Sequence, residues 1–167
     1  MKITPKILSL IILLININVF LAIFIIQYFF ELKPCNLCIW QRWPYIFAIC
    51  VSLLILSLNF DKIERNVSKK LFQLLSFIYL SGSILAIYHF GIENLWWSGI
   101  SGCPDQIVST SVNLNDLRDK LLNTPITRCD VPQWELFNIS LAGYNIVSSI
   151  ILCILSLNFS KFVDSKI

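Results

Sequence analysis

Charged residues are missing from long parts of this sequence. Four runs hold no Asp, Glu, Lys or Arg, at residues 8–30, 43–60, 71–90 and 137–159. A helix needs ~20 mostly apolar residues to cross a bilayer. The whole chain is 56% hydrophobic, whereas soluble domains contain about 45–50% apolar residues. The sequence therefore predicts an all-α polytopic membrane protein, a bundle of four transmembrane helices forming a single domain over residues 1–167.

Other features that the sequence lacks exclude further classes of protein. No A-x-A cleavage pattern follows the first run, and that run is longer than the ~7–15 apolar residues of a signal peptide. We therefore expect it to stay in the protein as a span. The sequence shows no repeat, no low-complexity segment and no soluble domain, and its net charge is only +3. Nothing in this composition indicates a nucleic-acid partner.

The charged residues that are present indicate how the chain crosses the membrane. The N-terminus, the 61–70 loop and the C-terminal tail hold eight basic and three acidic residues, a net charge of +5. The opposite side holds five basic and seven acidic residues, a net charge of −2. Basic residues favour the cytoplasmic side. Both termini are therefore predicted to be cytoplasmic, and the loop over residues 91–136 is predicted to face outward.

A close cysteine pair, Cys35 and Cys38, follows the first run, and Arg42 lies four residues further on. In a C-x-x-C pair one thiolate can be stabilised by the N-terminus of a following helix. Because Pro44 disfavours a helix that starts earlier, the second span is predicted to begin near it and to be slightly short. The bilayer would then reach up to Ile39, which places the pair at headgroup depth. The position of Arg42 allows two roles equally: it anchors the helix in the headgroup region, or its positive charge stabilises a negative charge near Cys38.

A second pair, Cys103 and Cys129, lies in the outer loop on the same predicted side as the first. Leucines at positions 114, 117, 121 and 122 lie between the two cysteines with helical spacing, which predicts a short amphipathic helix lying flat on the membrane. A static disulfide that closes this loop, worth ~3–4 kcal/mol, is one interpretation. Two pairs facing one compartment beside a bilayer favour thiol–disulfide exchange coupled to a lipid-soluble acceptor.

The remaining polar and sulfur-containing residues of the spans give weaker signals. His89, the only histidine, lies at the outer end of the third span, where it fits either an interfacial residue or a hydrogen-bond donor to a carbonyl. Cys50 and Cys153 lack a polar neighbour in sequence and are predicted to be buried and inert. Asn16, Asn18 and Asn145 are predicted to form hydrogen bonds between helices.

The segment Cys35-Asn-Leu-Cys-Ile-Trp-Gln-Arg42 resembles the C-x-L-C-x-x-x-R signature of the DsbB family, the disulfide bond formation protein B family. The four spans, the outer Cys103–Cys129 loop, and the segments around Trp134 and from Ser140 to Asn145 fit the same family, and the resemblance covers nearly the whole chain. It implies an inner-membrane enzyme that reoxidises a periplasmic DsbA-like thiol oxidase and reduces a membrane quinone, ubiquinone or menaquinone.

The resemblance also implies a role for each site residue. Cys103 would take the attack of the partner's thiolate, and the released Cys129 would attack Cys35. Cys38 would then be freed as a thiolate next to the quinone. Arg42 matches the family's arginine that assists the quinone step, and His89 matches a quinone-contacting histidine more loosely.

Three alternatives remain beside this interpretation. A vitamin-K-epoxide-reductase-like enzyme would share the bundle and the C-x-x-C pair, but such proteins usually carry the second pair between the first two spans. A non-enzymatic protein that binds zinc through the four outer cysteines would usually show two close C-x-x-C half-sites, and Cys103 and Cys129 are far apart in sequence. A structural protein with static disulfides is the third.

Overall fold

A computed structural model describes residues 4–57, 62–99 and 128–164 of the chain. The predictions for Cys103 and for the amphipathic helix over residues 114–122 fall outside these residues. The elements are, in chain order, α1 (Pro5–Phe29), α2 (Asn36–Trp40), α3 (Trp43–Ser57), α4 (Lys62–Glu93), β1 (Glu135–Leu136), β2 (Ile139–Ser140) and α5 (Leu141–Asp164).

The helices form four candidate membrane spans, at Pro5–Phe29, Asn36–Ser57, Asn66–Glu93 and Leu141–Val163. Each is long and apolar enough to cross a bilayer, and many of its large apolar side chains point outward; examples are Leu21, Ile25, Phe77, Ile84 and Ile151. Apolar side chains on the outside of a bundle are what a lipid solvent requires. The all-α architecture with four candidate spans is thereby confirmed.

The second span is longer than its sequence predicts. Pro44 lies in the first turn of α3, where its missing N–H costs no helical hydrogen bond, so α3 begins at Trp43. The short helix α2 precedes it, separated by a turn at Gln41 and Arg42. Together they make a span of 22 residues, or about 33 Å at 1.5 Å per residue. The apolar length that α3 alone lacks is supplied by α2, the short helix that carries Cys38.

The start of the fourth span differs from the prediction, which placed it at residue 137. Residues 135–140 instead form a small antiparallel hairpin, in which Glu135 pairs with Ser140 and Leu136 with Ile139. Its two turn residues, Phe137 and Asn138, have φ values of 52° and 59°, as in the left-handed turns that match the twist of a hairpin. The helix therefore begins only at Leu141.

Helices α4 and α5 make the most extensive contact, while α3 packs against both α1 and α4. Their shared core contains Ile12, Tyr45, Phe72, Tyr79 and Leu152. Polar contacts add to the apolar packing, as expected where lipid supplies no hydrophobic force between helices.

The predictions for the three asparagines have different outcomes. Asn16 Nδ2 donates to Tyr79 Oη at 2.6 Å, which joins α1 to α4, and Asn145 Nδ2 donates to Gln41 Oε1 at 2.7 Å. Both are contacts between different elements, as predicted. The prediction for Asn18 is wrong: its side chain is exposed and donates to Leu14 O in its own helix at 2.8 Å. This bond satisfies the amide without a second helix.

Candidate functional site

Cys35 and Cys38 lie at the start of α2. Cys35 is the N-cap residue, and its Sγ accepts a hydrogen bond from the Cys38 backbone N–H at 3.3 Å. The Cys35 thiol donates to Cys38 Sγ, and the two sulfurs are 3.0 Å apart. The pair is therefore preorganised by one helical turn, with its sulfurs close enough to exchange between thiol and disulfide after a small movement.

The two sulfurs have different surroundings. Cys35 is 1% exposed, and its hydrogen bond to Cys38 together with burial raises the pKa of Cys35 to about 12. Cys35 is therefore the sulfur that keeps its proton in the reduced pair. Cys38 is only half-buried and lines a cavity between the helices.

Cys129 is also buried, at 2% exposed, and belongs to the same small cluster as Cys35, Leu37 and Ile92. Cys38 packs against this cluster from its edge. The structure thus brings one cysteine of the outer loop to the C-x-x-C pair, although Cys38 and Cys129 are 91 positions apart in sequence.

The backbone around Cys129 is held by polar contacts at the protein surface. The Arg128 guanidinium forms a two-pronged ion pair with the Asp130 carboxylate, and its Nε donates to Oδ1 at 2.9 Å. The same guanidinium lowers the pKa of Asp130. The Gln133 side chain donates to the carbonyls of Arg128 and Val131, both at 3.4 Å.

His89 approaches the cysteine pair from α4, on the buried side. Its Nε2 is 3.6 Å from Cys35 Sγ and 3.7 Å from Glu93 Oε1. Its Nδ1 is 2.8 Å from Gln41 Nε2. His89 is 2% exposed and is not among the described residues that line the cavity. The contact with a quinone that the resemblance implies stays a prediction, and the observed polar neighbours of the imidazole include Cys35, Glu93 and Gln41.

Further polar residues, which sequence reasoning did not assign to the site, continue from His89 across the bundle. Gln41 Oε1 accepts from Asn145 Nδ2, and Asn145 Oδ1 accepts from Tyr45 Oη at 2.6 Å. On the other side, Ser140 Oγ donates to the Glu93 carboxylate. The sequence signal for this set was present, because polar residues inside spans are costly and commonly functional. Sequence spacing alone did not reveal which of these polar residues form hydrogen bonds with one another.

The cavity beside Cys38 has a volume of about 380 Å³ and lies among α1, the α2–α3 turn and α5. Its wall is largely apolar, with Ala22, Ile23 and Ile26 from α1 and Ala142 from α5. Cys38 and Arg42 add a thiol and a cation to the same wall, and Tyr45 also borders it. An apolar cleft of this size with a few convergent polar groups is typical of a site for a small, mostly apolar ligand.

Arg42 is fixed at the edge of this cavity. Its Nη2 donates to Gln27 Oε1 at 2.7 Å, and its guanidinium carbon lies 5.6 Å from the centre of the Phe24 ring. Its Nε is buried and finds no hydrogen-bond partner among the described residues. A buried donor without a partner costs about 1–3 kcal/mol, so a ligand oxygen that accepted this hydrogen bond would relieve that cost.

The two remaining cysteines of the spans lie away from the site, but not as predicted. Cys50 is exposed on the outer surface of α3 rather than buried. Cys153 does have a polar neighbour, because its Sγ is 3.1 Å from Ser76 Oγ on α4. Both corrections have the same cause: sequence alone does not reveal which face of an apolar helix meets lipid and which meets another helix.

The family described as disulfide bond formation protein DsbB matches residues 5–159 of the chain. The chain belongs to the DsbB family. It is also 29% identical over 150 residues to uncharacterized protein RP370 of Rickettsia prowazekii (strain Madrid E), an alignment that covers 89% of this chain and 84% of that protein. No solved structure matches the chain.

Membership of the DsbB family implies a disulfide-bond formation oxidoreductase in the membrane. The resemblance of the Cys35–Arg42 segment is therefore confirmed at the level of the family. The family generally uses a quinone, and the cavity suits such a group, because its apolar wall matches a lipid-soluble ring and the Arg42 Nε is a spare donor for a ring oxygen.

Proposed function

We propose that this protein reoxidises a periplasmic thioredoxin-fold dithiol oxidase of the DsbA type and passes the electrons to a membrane quinone. The observation that supports this most directly is the position of the cysteine pair between two environments. Cys38 lines an apolar cavity that carries Arg42, and Cys35 lies behind it in a cluster with Cys129. This arrangement suits a relay that receives electrons on one side and delivers them on the other.

In the proposed sequence the outer pair acts first. The partner's thiolate attacks Cys103 of the Cys103–Cys129 disulfide, so a mixed disulfide forms at Cys103 and Cys129 leaves as a thiolate. Cys129 then attacks Cys35 of the Cys35–Cys38 disulfide, and Cys38 leaves as a thiolate at the cavity wall. The shared burial of Cys35 and Cys129 supports the middle step, since thiolate attack requires the two sulfurs to meet.

A quinone bound in the cavity would supply the sink for two electrons and two protons. Cys38, Arg42 and Tyr45 are the residues that would hold it. Arg42 carries fixed positive charge that Gln27 and Phe24 keep in place, and this charge would stabilise the Cys38 thiolate. We propose that His89 acts at the sulfur of Cys35, which lies 3.6 Å from its Nε2.

The direct test is to mix the purified protein with a reduced dithiol partner and a quinone and to follow the quinone absorbance. We expect the absorbance to fall only when protein, partner and quinone are all present. A chain that forms the partner adduct but never reduces quinone would contradict the proposed acceptor, and a chain that reacts with neither would contradict the whole proposal.

A zinc site is the second candidate that a specific observation favours, because ligand atoms of Cys35, Cys38 and His89 lie within 4.8 Å of one another. The sulfur separation argues against it. Tetrahedral zinc with Zn–S bonds of about 2.3 Å holds two thiolates about 3.8 Å apart, whereas these sulfurs are 3.0 Å apart. Stoichiometric zinc in the purified protein, together with no quinone reduction, would favour the metal site.

We further propose an inner-membrane location with both termini in the cytoplasm, on the basis of the +5 and −2 charges of the two sides. Labelling of single-cysteine variants in intact cells by an impermeant maleimide tests this. The native sites Cys35 and Cys129 are too buried to react well, so the labels belong at exposed positions. We expect Glu135→Cys to label from outside and Lys161→Cys to label only after the cells are opened. The reverse pattern would overturn the proposed orientation.

The order of the outer cysteines predicts that Cys103→Ser and Cys129→Ser differ. Without Cys129 the outer pair holds no disulfide for a reduced partner to attack, so the partner is supplied in its oxidised form. The Cys103 thiolate then attacks the partner's disulfide, a mixed disulfide forms at Cys103, and the partner's second cysteine leaves as a thiolate. Because no Cys129 thiol is present to resolve this adduct, it should be visible as a band that reducing agent removes. Without Cys103 the cysteine that would bond to the partner is absent, and no adduct should form. Non-reducing gels of the protein mixed with its partner measure both outcomes. Equal amounts of adduct in the two variants would contradict the assigned order.

A further inference from the structure

A chain of hydrogen bonds runs across the bundle and ends at the imidazole of His89. Tyr45 Oη donates to Asn145 Oδ1 at 2.6 Å, and Asn145 Nδ2 donates to Gln41 Oε1 at 2.7 Å. The remaining group of the Gln41 amide, Nε2, is 2.8 Å from His89 Nδ1. Each amide therefore accepts on one side and donates on the other, and all the bonds point the same way.

This direction determines which ring nitrogen carries the proton. An amide NH₂ group only donates hydrogen bonds, so Nδ1 of His89 must accept from Gln41. A neutral imidazole has one acceptor nitrogen and one N–H. With Nδ1 as the acceptor, the proton of neutral His89 lies on Nε2, the nitrogen that faces Cys35 Sγ at 3.6 Å.

The groups on the other side of the ring require the same arrangement. Cys35 has one proton, which it donates to Cys38 Sγ at 3.0 Å, so toward His89 its sulfur can only accept. The Glu93 carboxylate, 3.7 Å from Nε2, already takes a hydrogen bond from Ser140 Oγ and when ionised is likewise only an acceptor. A proton on Nε2 can be donated to the Cys35 sulfur and places an N–H near the Glu93 carboxylate, whereas a bare Nε2 would face two acceptors.

We propose that Gln41 and Asn145 are positioning residues that hold His89 in the tautomer with its proton on Nε2, so that the ring is a hydrogen-bond donor to Cys35 rather than a base that removes its proton. The chain does not conduct protons, because a side-chain amide neither gains nor loses one at ordinary pH. Instead, the chain fixes the direction of its hydrogen bonds and therefore the ring nitrogen that carries the proton. In the exchange reaction, which rests on the proposed function, the donor at Nε2 would hold the Cys35 sulfur in place for the attack of Cys129 and stabilise the negative charge that is shared across this sulfur in the transition state.

The tautomer can be measured directly because His89 is the only histidine in the chain. Nitrogen NMR of the reduced, full-length protein in detergent, labelled with ¹⁵N-histidine and kept at an alkaline pH where the ring is neutral, gives one signal from each ring nitrogen. We expect the shift of an unprotonated nitrogen at Nδ1 and that of a protonated nitrogen at Nε2. The opposite assignment in the wild-type protein would overturn the proposal.

Gln41→Glu is the sharpest variant, because it keeps an oxygen for Asn145 Nδ2 and replaces the donor toward His89 with an acceptor. The proton should then appear on Nδ1. Asn145→Leu removes the group that orients Gln41 and should give a mixture of the two tautomers. The matched control is Asn18→Leu, which removes an exposed asparagine that bonds only to its own helix and should leave both signals unchanged.

An Nδ1 signal that stays unprotonated in Gln41→Glu would contradict the role given to Gln41, and an unchanged spectrum in Asn145→Leu would contradict the role given to Asn145. Quinone reduction measured on the same wild-type sample separates this proposal from the proposed function. The tautomer can be as expected in a protein that reduces no quinone, in which case only the function fails. An active protein with the proton on Nδ1 would leave the function standing and overturn the positioning role.

Discussion

Replacing Cys38 with serine is expected to abolish quinone reduction and to leave Cys35 joined to Cys129 in a stable disulfide. Cys38 is the cysteine that lines the cavity among the described residues, so the variant lacks the thiolate that would face the acceptor. Cys35 and Cys129 keep their shared buried cluster, so the Cys35 thiolate can attack Cys129 of the Cys103–Cys129 disulfide. The Cys35–Cys129 bond then forms as Cys103 leaves as a thiolate, and no Cys38 thiolate is present to resolve it. Quinone absorbance measures the first effect, and mass spectrometry of peptides from the unreduced protein measures the second.

Cys50→Ser is the matched control, because Cys50 lies on the outer surface of α3, away from the cysteine pair. It should reduce quinone at the wild-type rate and accumulate no new disulfide. Quinone reduction that survives in Cys38→Ser would show that the electrons leave from another sulfur. A Cys38→Ser protein without the Cys35–Cys129 disulfide would contradict the proposed middle step of the relay.

The C-x-x-C pair lies where two unlike environments meet, and this explains why a five-residue helix is inserted ahead of α3. A second span made of α3 alone would have 15 residues, fewer than the ~20 that a helix needs to cross a bilayer. The extra turn places Cys38 against the cavity and leaves Cys35 as the N-cap residue on the buried side. The two sulfurs of one short motif can therefore take different roles without a large movement of the backbone.

The parts of the fold that depend on hydropathy were predictable. Uncharged runs of about 20 residues give the spans, and a span is defined by its composition and not by its partners. The hairpin at residues 135–140 was not predictable in this way. The apolar stretch from Phe137 predicts the beginning of the fourth span. Its sequence does not indicate that Phe137 has a positive φ, which is rare for a bulky residue.

Cys35 and Cys38 could be found in the sequence because C-x-x-C is a local motif. The family resemblance implied His89 as a site residue, but its contacts with Cys35 and Gln41 could not be predicted, since Gln41 comes from the α2–α3 turn, His89 from α4 and Asn145 from α5. Asn16 and Asn18 illustrate the limit: they are two residues apart in one helix, yet one bonds to α4 and the other to its own backbone. Only the rotation of the helix in the bundle distinguishes them.

Replacing Arg42 with alanine is expected to slow quinone reduction by roughly 10²- to 10³-fold, the usual cost of removing one preorganised group that stabilises developing charge. The guanidinium is held by Gln27 and Phe24 at the cavity edge, and its buried Nε has no partner among the described residues. In this apolar surrounding its charge acts at lower dielectric than in water. Steady-state kinetics with saturating reduced partner and varied quinone give the rate and the KM for quinone separately.

Arg42→Lys should recover only part of the loss. An ammonium keeps the positive charge, but it lacks the planar set of donors with which a guanidinium can bond to Gln27 and to a ligand at the same time. Formation of the partner adduct at Cys103 should be unchanged in both variants, since that step does not involve the cavity. Lys161→Ala is the control for a mere membrane anchor: it removes an exposed cation from the last turn of α5 and should leave the rate unchanged. If Arg42→Ala matched Lys161→Ala and kept the wild-type rate and KM, Arg42 would be only an anchor in the headgroups, and the proposed role of the cavity edge would be wrong.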